Sequence, residues 1–357
     1  MDHSRKSRLL DPEAVTTVEP QQQLEFLSNV QRLLSEGQFT ATYKYALLLA
    51  IADICVVDGE DDGASFVIQT SKIAEKFITY YWPQARPYEG VVLRQNTGKA
   101  PAIISALCEV AENGVVALHE LKRDIPACRR LVRKVDRVVR EMPLWKLQIV
   151  GNAPLEFLYE NRGQGTSIEL KPGVMFCLRR FHELITDLVR GAWLRYVRRF
   201  NAQVLGEPND LDQFLFGAER APLDKYLPIL REVQEARCLY CEREVPAGAA
   251  HIDHFIPWSR YPIDLGHNFV LAHAGCNGAK ADHLAAGVHL ERWVARNRTA
   301  ATFLQDRFDQ GLIVHSAQSS ERIARWAYAQ AASTHALAWV KSREFQPIDE
   351  SCVHLLS

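Results

Sequence analysis

The sequence predicts an α+β protein, in which a mainly helical N-terminal domain with a small β hairpin or sheet precedes a compact strand–loop–strand–helix module and C-terminal helices. Three observations predict it. Apolar residues recur at helical spacing through most of residues 21–205. Between Leu144 and Val174 the pattern changes to alternation around glycines. Residues 238–280 then hold two pairs of soft metal ligands on either side of a short alternating run.

Composition sets the frame. At 357 residues, 47% hydrophobic and 24% charged, the chain has the balance of a soluble globular protein with room for two or three domains. The net charge of −1 gives no global attraction to nucleic acid. There is no long apolar run of membrane-spanning length, and MDHSRKSRLLDPE lacks a signal-peptide core, so the expected location is the cytoplasm, away from any membrane. Neither a P-loop nor a GxGxxG is present, which argues against an ATP-driven motor in this chain. The cysteines show no disulfide framework; Cys55, Cys108, Cys128, Cys177 and Cys352 lie in mostly apolar contexts and read as buried thiols.

In chain order, residues 1–20 read as a polar tail, and 21–205 as the helical domain. Gln21 to Gly37 has helical spacing with a glycine stop. TYKYALLLAIADICVV, starting at Thr42, is apolar almost all round and is expected to be the central buried helix. The acidic stretch Asp58–Gly63 lacks calcium-loop spacing and reads as a solvated loop. Residues 66–82 predict an amphipathic helix ended by Pro83, and a shorter one ends at Gly114. Arg129, Arg130, Arg133, Lys134, Arg137 and Arg140 then interleave with Leu131, Val132, Val135, Val138 and Val139. That helix has one apolar and one cationic face. The cationic face reads either as solvated surface or as contact with a phosphate backbone.

Residues 144–174 predict a small antiparallel sheet or hairpin, which with the helices before it could form a winged helix-turn-helix. One long helix is expected over 174–202, with Arg179, Arg180, Arg190, Arg195, Arg198 and Arg199 as a second basic set. Residues 206–224 read as a linker, 225–290 as the module, and 291–357 as C-terminal helices, two of them in HLERWVARNRTAATFLQDRF and SERIARWAYAQAASTHALAWV.

The module carries the chemistry. Cys238 and Cys241 stand in C-x-x-C spacing, and His273 and Cys276 form the matching second pair, a donor set suited to tetrahedral Zn²⁺. Between them Ala250–Pro257 alternates as a strand, with His251 and Asp253 on one face and Ile252 on the other. A loop with Pro262 and Gly266 leads to Asn268, then to the apolar run Phe269–Ala272, and a helix is expected to begin near Cys276.

These residues resemble the HNH endonucleases, built on the ββα-metal fold. The likeness rests on Asp253-His254-Phe255-Ile256-Pro257, on Asn268 before the second strand, on Asn277 and Lys280, and on the flanking zinc pairs. It differs in two places. His273 stands where many relatives have cysteine, and Ala281 stands where some relatives, such as nuclease colicins, place a further histidine ligand. The resemblance implies hydrolysis of DNA phosphodiesters, and a free-standing nuclease of this size resembles restriction or phage-defence effectors.

The residue types agree with that chemistry. A neutral imidazole suits the general base, here His254. Asp253 and Asn277 offer hard oxygens for Mg²⁺ or Mn²⁺. Asn268 is expected to hydrogen-bond across the loop and hold His254 in place, and Lys280 to contact substrate phosphate from the start of the helix. His251 reads either as a polar residue at a strand edge or as a metal or phosphate contact from the same face as Asp253, and His267, Asp282 and His283 read as ordinary polar residues. The expected partners are the DNA backbone and, through the N-terminal domain, a second copy or another protein. Two other readings stay open: a non-catalytic zinc-stapled nucleic-acid-binding protein, and a nuclease effector held silent by its N-terminal domain.

Overall fold

The structure is a computed structural model that describes residues 18–356, apart from 38, 89, 97–100, 116, 164, 204, 206–210 and 218–222. Most of the predicted polar tail therefore lies outside the described residues. Two hydrophobic clusters organise the chain, one built by residues 18–216 and the other by residues 223–356 together with Val56 and Val57.

Helix α1 (Pro20–Glu36) starts on a proline, whose missing N–H costs nothing at that position, and stops at Gly37. Helix α2 (Tyr43–Asp58) is buried on every side from Tyr45 to Ala52, as its unbroken apolar run predicts. Residues 66–82 are not one helix. Phe66–Gln69 is strand β1, and helix α3 begins only at Thr70 and runs to Tyr81. The four strand residues read as a helical turn in isolation, and their partner lies far along the chain. Helices α4 (Ala102–Glu112) and α5 (Leu118–Arg123) follow. Helix α6 (Ile125–Glu141) is capped by Asp124, whose carboxylate accepts from the Ala127 N–H at 2.9 Å. It buries Leu131, Val135 and Val139 and packs on α3, and its arginines point outward.

The predicted sheet of residues 144–174 is split. After α7 (Pro143–Lys146), β2 (Ile149–Val150) and β3 (Ala153–Pro154) close a two-residue ladder around Gly151, whose φ of 58° favours glycine. Strand β4 (Ser167–Leu170) instead returns to β1 in the register Phe66↔Leu170 to Gln69↔Ser167. The expected wing is therefore not formed by the described residues. The long helix predicted over 174–202 is two, α8 (Val174–Arg180) and α9 (His182–Asn201), parted at Phe181. Within the predicted linker, α10 (Leu211–Phe216) buries Leu211 and Leu215 in the first cluster.

The second cluster begins with α11 (Leu227–Val233). Strands β5 (Ala250–His254) and β6 (Phe269–His273) pair antiparallel from Ala250↔His273 to His254↔Phe269, and α12 (Ala274–Lys280) packs across both. The C-terminal region holds more than the two predicted helices. The first segment divides at Ala300 into α13 (Gly287–Thr299) and α14 (Ala301–Gln310). The second ends as α15 (Ala317–Ser333) and is followed by a hairpin, β7 (Leu337–Lys341) with β8 (Glu344–Pro347), and by α16 (Glu350–His354). Trp339 of β7 packs edge-on to Tyr240, so this hairpin supports the metal-ligand region.

The acidic loop is not merely solvated. Asp61 takes a two-point ion pair from Arg179, at 2.7 and 2.8 Å, and Arg179 also donates to the Cys55, Val56 and Gly59 carbonyls at the end of α2. Arg179 is therefore interior rather than part of a basic surface. Glu60 pairs with Arg322 and Arg325 of α15, and the Trp326 indole donates to the Arg179 carbonyl at 2.9 Å. Among the described residues, no helix is long and apolar enough to cross a membrane.

Candidate functional site

The metal-ligand pairs converge. Residues 237–244 fold back on themselves, with Arg237 bridged to Glu244 and the Cys238 N–H bonded to the Arg243 carbonyl at 3.0 Å. Glu242 takes a φ of 60° to close this knuckle. His273 ends β6 and Cys276 lies on α12, so the hairpin delivers the second pair to the first. Donor atoms of Cys238, Cys241, His273 and Cys276 all lie within 4.8 Å of one another, close enough to share one ion. His273 turns Nδ1 toward Cys241, 3.3 Å from its sulfur, and its Nε2 donates to the Glu244 carbonyl at 3.0 Å, which fixes the ring for ligation. Burial raises the Cys241 thiol pKa, but hydrogen bonds from the Arg243 backbone and side chain and from neighbouring thiols outweigh it and bring the value to about 6. Burial and the charges of Cys238 and Cys241 push Cys276 up to about 12. A cluster that crowds thiolates in this way fits a divalent soft-to-borderline cation such as Zn²⁺.

The second group of residues lies at the far end of the β5–β6 hairpin. Asp253 is buried, and its Oδ2 accepts from the Tyr240 hydroxyl and from Lys280 Nζ at 3.0 Å. Its Oδ1 has no partner among the described residues. Burial, and then the Asp253 charge, hold the Tyr240 hydroxyl far above the usual tyrosine range, so it stays a donor.

Lys280 departs from its expected role. It ends α12 rather than starting it, is 0% exposed, and donates to the His254 carbonyl at 3.0 Å as well as to Asp253. Burial lowers its pKa, and Asp253 opposes that shift. The side chain is consumed inside the protein, so it is corrected from a phosphate contact to an internal brace.

His254 is half-buried between aromatic rings, with Phe269 at 4.5 Å and Trp258 edge-on at 5.2 Å. Its Nε2 lies 2.8 Å from Asp264 Oδ1. The sequence reading missed Asp264, and also Tyr240; an acidic residue in an irregular loop carries no periodic signal. Asn268 spans the loop as expected, although to backbone rather than to the imidazole. Its Oδ1 accepts from the Ile256 N–H at 2.8 Å and its Nδ2 donates to the Ile256 carbonyl at 3.0 Å. Phe255 N–H also bonds the Asn268 carbonyl at 2.8 Å, so both sides of the residue pair following His254 are pinned. Asn277, three residues before Lys280 on α12, is half-buried, and its side-chain amide is unengaged among the described residues.

His251 is exposed at the start of β5, apart from the buried Asp253, and His283 and Asp282 are exposed beyond α12. His267 is interior, and its backbone carbonyl accepts from Trp293, Arg296 and Asn297.

Comparison with known families gives two matches. Residues 238–283 match the description HNH endonuclease, and residues 22–212 match a domain of unknown function, DUF8808. No curated protein and no solved structure matches the chain.

Proposed function

Since the chain belongs to the DUF8808 family, whose description spans more than half of its length, and carries an HNH endonuclease domain at residues 238–283, we propose that it is a metal-dependent endonuclease that hydrolyses DNA phosphodiester bonds. The observation that carries the reading is the placing of Asp253 and His254 at the end of β5, on the strand pair that bears α12 and Asn277, all tied to one zinc-type cluster.

His254 is the general base. Asp264 accepts a hydrogen bond from the Nε2–H, which selects the tautomer whose basic nitrogen is Nδ1. That nitrogen takes the proton from water as the water attacks phosphorus and the bond from phosphorus to the leaving sugar oxygen breaks; Asp264 stabilises the imidazolium that results, and the departing oxygen takes up a proton from solvent. The tilted Phe269 ring and edge-on Trp258 limit rotation of the imidazole. Asn268 holds the loop that follows, which keeps the base within its short working distance of the water.

Asp253 Oδ1 and the Asn277 side-chain oxygen are the hard-oxygen donors that would hold Mg²⁺ or Mn²⁺. When bound, such an ion supplies Lewis-acid neutralisation of charge on the phosphate. Tyr240 and Lys280 occupy the other Asp253 oxygen and so aim the carboxylate. Zinc at Cys238, Cys241, His273 and Cys276 is structural, since four protein ligands leave no open position. A setting in restriction or phage defence belongs to the same proposal and rests on resemblance alone.

The test is cleavage of supercoiled plasmid by the full chain with Mg²⁺, Mn²⁺ or EDTA, beside His254→Ala. Metal-dependent nicking or linearisation that the variant loses supports the reading. Equal cutting by both proteins would remove His254 as the base. A folded, zinc-loaded protein that cuts nothing would favour the binding-module reading.

A further inference from the structure

The outer face of α6 does no work in the fold. Arg129, Arg130, Arg133 and Arg137 are exposed and make no ion pair or hydrogen bond among the described residues. Their neighbours on the same helix behave differently, since Lys134 pairs with Glu109 at 2.8 Å and Arg140 with Asp136 at 3.1 Å. Positions 129, 133 and 137 are spaced i, i+4, i+8, and 130 flanks the row, so like charges stack along one ridge. That arrangement destabilises a helix and calls for an anionic partner. All four are arginine, the side chain whose planar fork matches phosphate oxygens. Successive steps of four residues advance about 6 Å along the axis, so the row presents a line of charge rather than a pocket.

The helix that carries the ridge packs, through its opposite face, on an element that reaches the candidate active site. Helix α6 packs on α3, and Lys76 of α3 reaches the Tyr261 hydroxyl at 3.4 Å, in the loop between His254 and Asp264. Arg123, just ahead of α6, lies close enough to Lys225 for its charge, after burial, to lower the Lys225 pKa, and Asp264 acts on the same lysine in the opposite sense. Lys225 sits 5.4 Å over the Tyr226 ring, Tyr226 packs on Phe269 at 4.4 Å, and Phe269 packs on His254. Arg123 and Lys225 therefore place two positive charges between the helical domain and the strand pair.

We propose that the exposed arginine ridge of α6, Arg129, Arg130, Arg133 and Arg137, is a contact surface for the phosphate backbone of duplex DNA. The choice of DNA rests on the nuclease reading above, whereas the ridge itself rests on charge and placement. Such contacts position a duplex without reading its sequence.

The experiment measures binding of the full, zinc-loaded chain to a labelled duplex of about 30 base pairs, with no Mg²⁺ or Mn²⁺ added so that cutting is prevented, between about 50 and about 200 mM salt. The variant replaces all four residues (Arg129→Gln, Arg130→Gln, Arg133→Gln, Arg137→Gln), and a companion set replaces each with lysine. The glutamine set is expected to bind at least tenfold more weakly and to lose roughly 0.9 of salt slope per contact, about 3.6 for four. The lysine set, which keeps the charge, should retain most of the slope. A second measurement needs no variant: phenylglyoxal labelling of the wild-type chain, read by mass spectrometry, should show the four arginines protected by duplex DNA. Wild-type affinity and slope in the glutamine set, unprotected arginines, or protection by single-stranded RNA but not by duplex would each overturn the proposal. Plasmid cutting with unprotected arginines would sink the surface and leave the nuclease. Protected arginines on a protein that cuts nothing would do the reverse.

Discussion

Lys280 Nζ lies 3.0 Å from Asp253 Oδ2, the lysine fully buried and the carboxylate nearly so. Removing one partner of such a pair leaves the other charge buried and alone, which costs about 3–5 kcal/mol. Lys280→Met is therefore expected to lower the unfolding midpoint of the chain sharply and to leave the salt slope of DNA binding unchanged. A variant as stable as wild type, with a reduced slope, would restore Lys280 to the phosphate contact its position in the motif implies.

The 2.8 Å contact between His254 Nε2 and Asp264 Oδ1 makes a separate prediction. Asp264→Asn keeps the size of the side chain but no longer favours the tautomer with a basic Nδ1. Under the proposed mechanism kcat falls on the order of 10²-fold, KM for plasmid hardly moves, and zinc content stays the same. If single-turnover cleavage by the variant matched wild type, Asp264 would be a structural loop residue only.

Zinc should hold the module together rather than take part in cutting. Cys238→Ser removes a ligand from a knuckle whose backbone turn depends on metal for closure, so the purified variant is expected to carry less than one zinc per chain and to unfold the region around β5 and β6. Metal analysis beside hydrogen exchange on residues 238–283 would check this. Full protection without zinc would show that the fold stands on packing alone.

How much of this was legible depended on distance along the chain. The all-round apolar run of α2, the arginine helix and the two ligand pairs declare themselves within a few turns, because period and spacing are local properties. Phe66–Gln69 was misread because what makes it a strand is Ser167–Leu170, about a hundred residues away. Arg179 has the same difficulty: as sequence it joins a basic run, but Asp61 and the open carbonyls of α2 draw it inside. Within the module, motif order placed Asp253, Asn268 and Asn277 on the right elements. It gave no sign that Lys280 is consumed by Asp253, or that Asp264 meets His254, since both depend on how the loop folds.

The two clusters share enough surface to predict the behaviour of a fragment. Trp326 and Tyr261 are 1% and 4% exposed where they meet the helical domain: His182 of α9 packs on both rings, the Trp326 indole donates to the Arg179 carbonyl, and Val56 is buried against the second cluster. A chain of residues 225–357 alone would expose these rings and the carboxylate-seeking Arg322 and Arg325. It is expected to melt well below the full chain or to aggregate, as exposed apolar patches do. A soluble fragment with higher specific cleavage than the full chain would instead favour a nuclease restrained by its N-terminal domain.

His267 adds a pH dependence with a definite sign. Burial first, then the charge of Arg296, lowers its pKa to about 4, against about 6.5 in an unfolded chain. Above 6.5 neither state holds the proton, and the folded state has its full advantage. As the pH falls from about 6.5 to about 4 the unfolded chain takes up the proton first, so stability is lost at up to about 1.4 kcal/mol per pH unit. His267→Phe fills the same apolar site beside Phe308 without titrating. Thermal unfolding at pH 7 and pH 5 should therefore show a larger drop in midpoint for wild type than for the variant. Equal drops would mean that the acid sensitivity comes from elsewhere, and that His267 accepts its proton in the folded state as readily as in water.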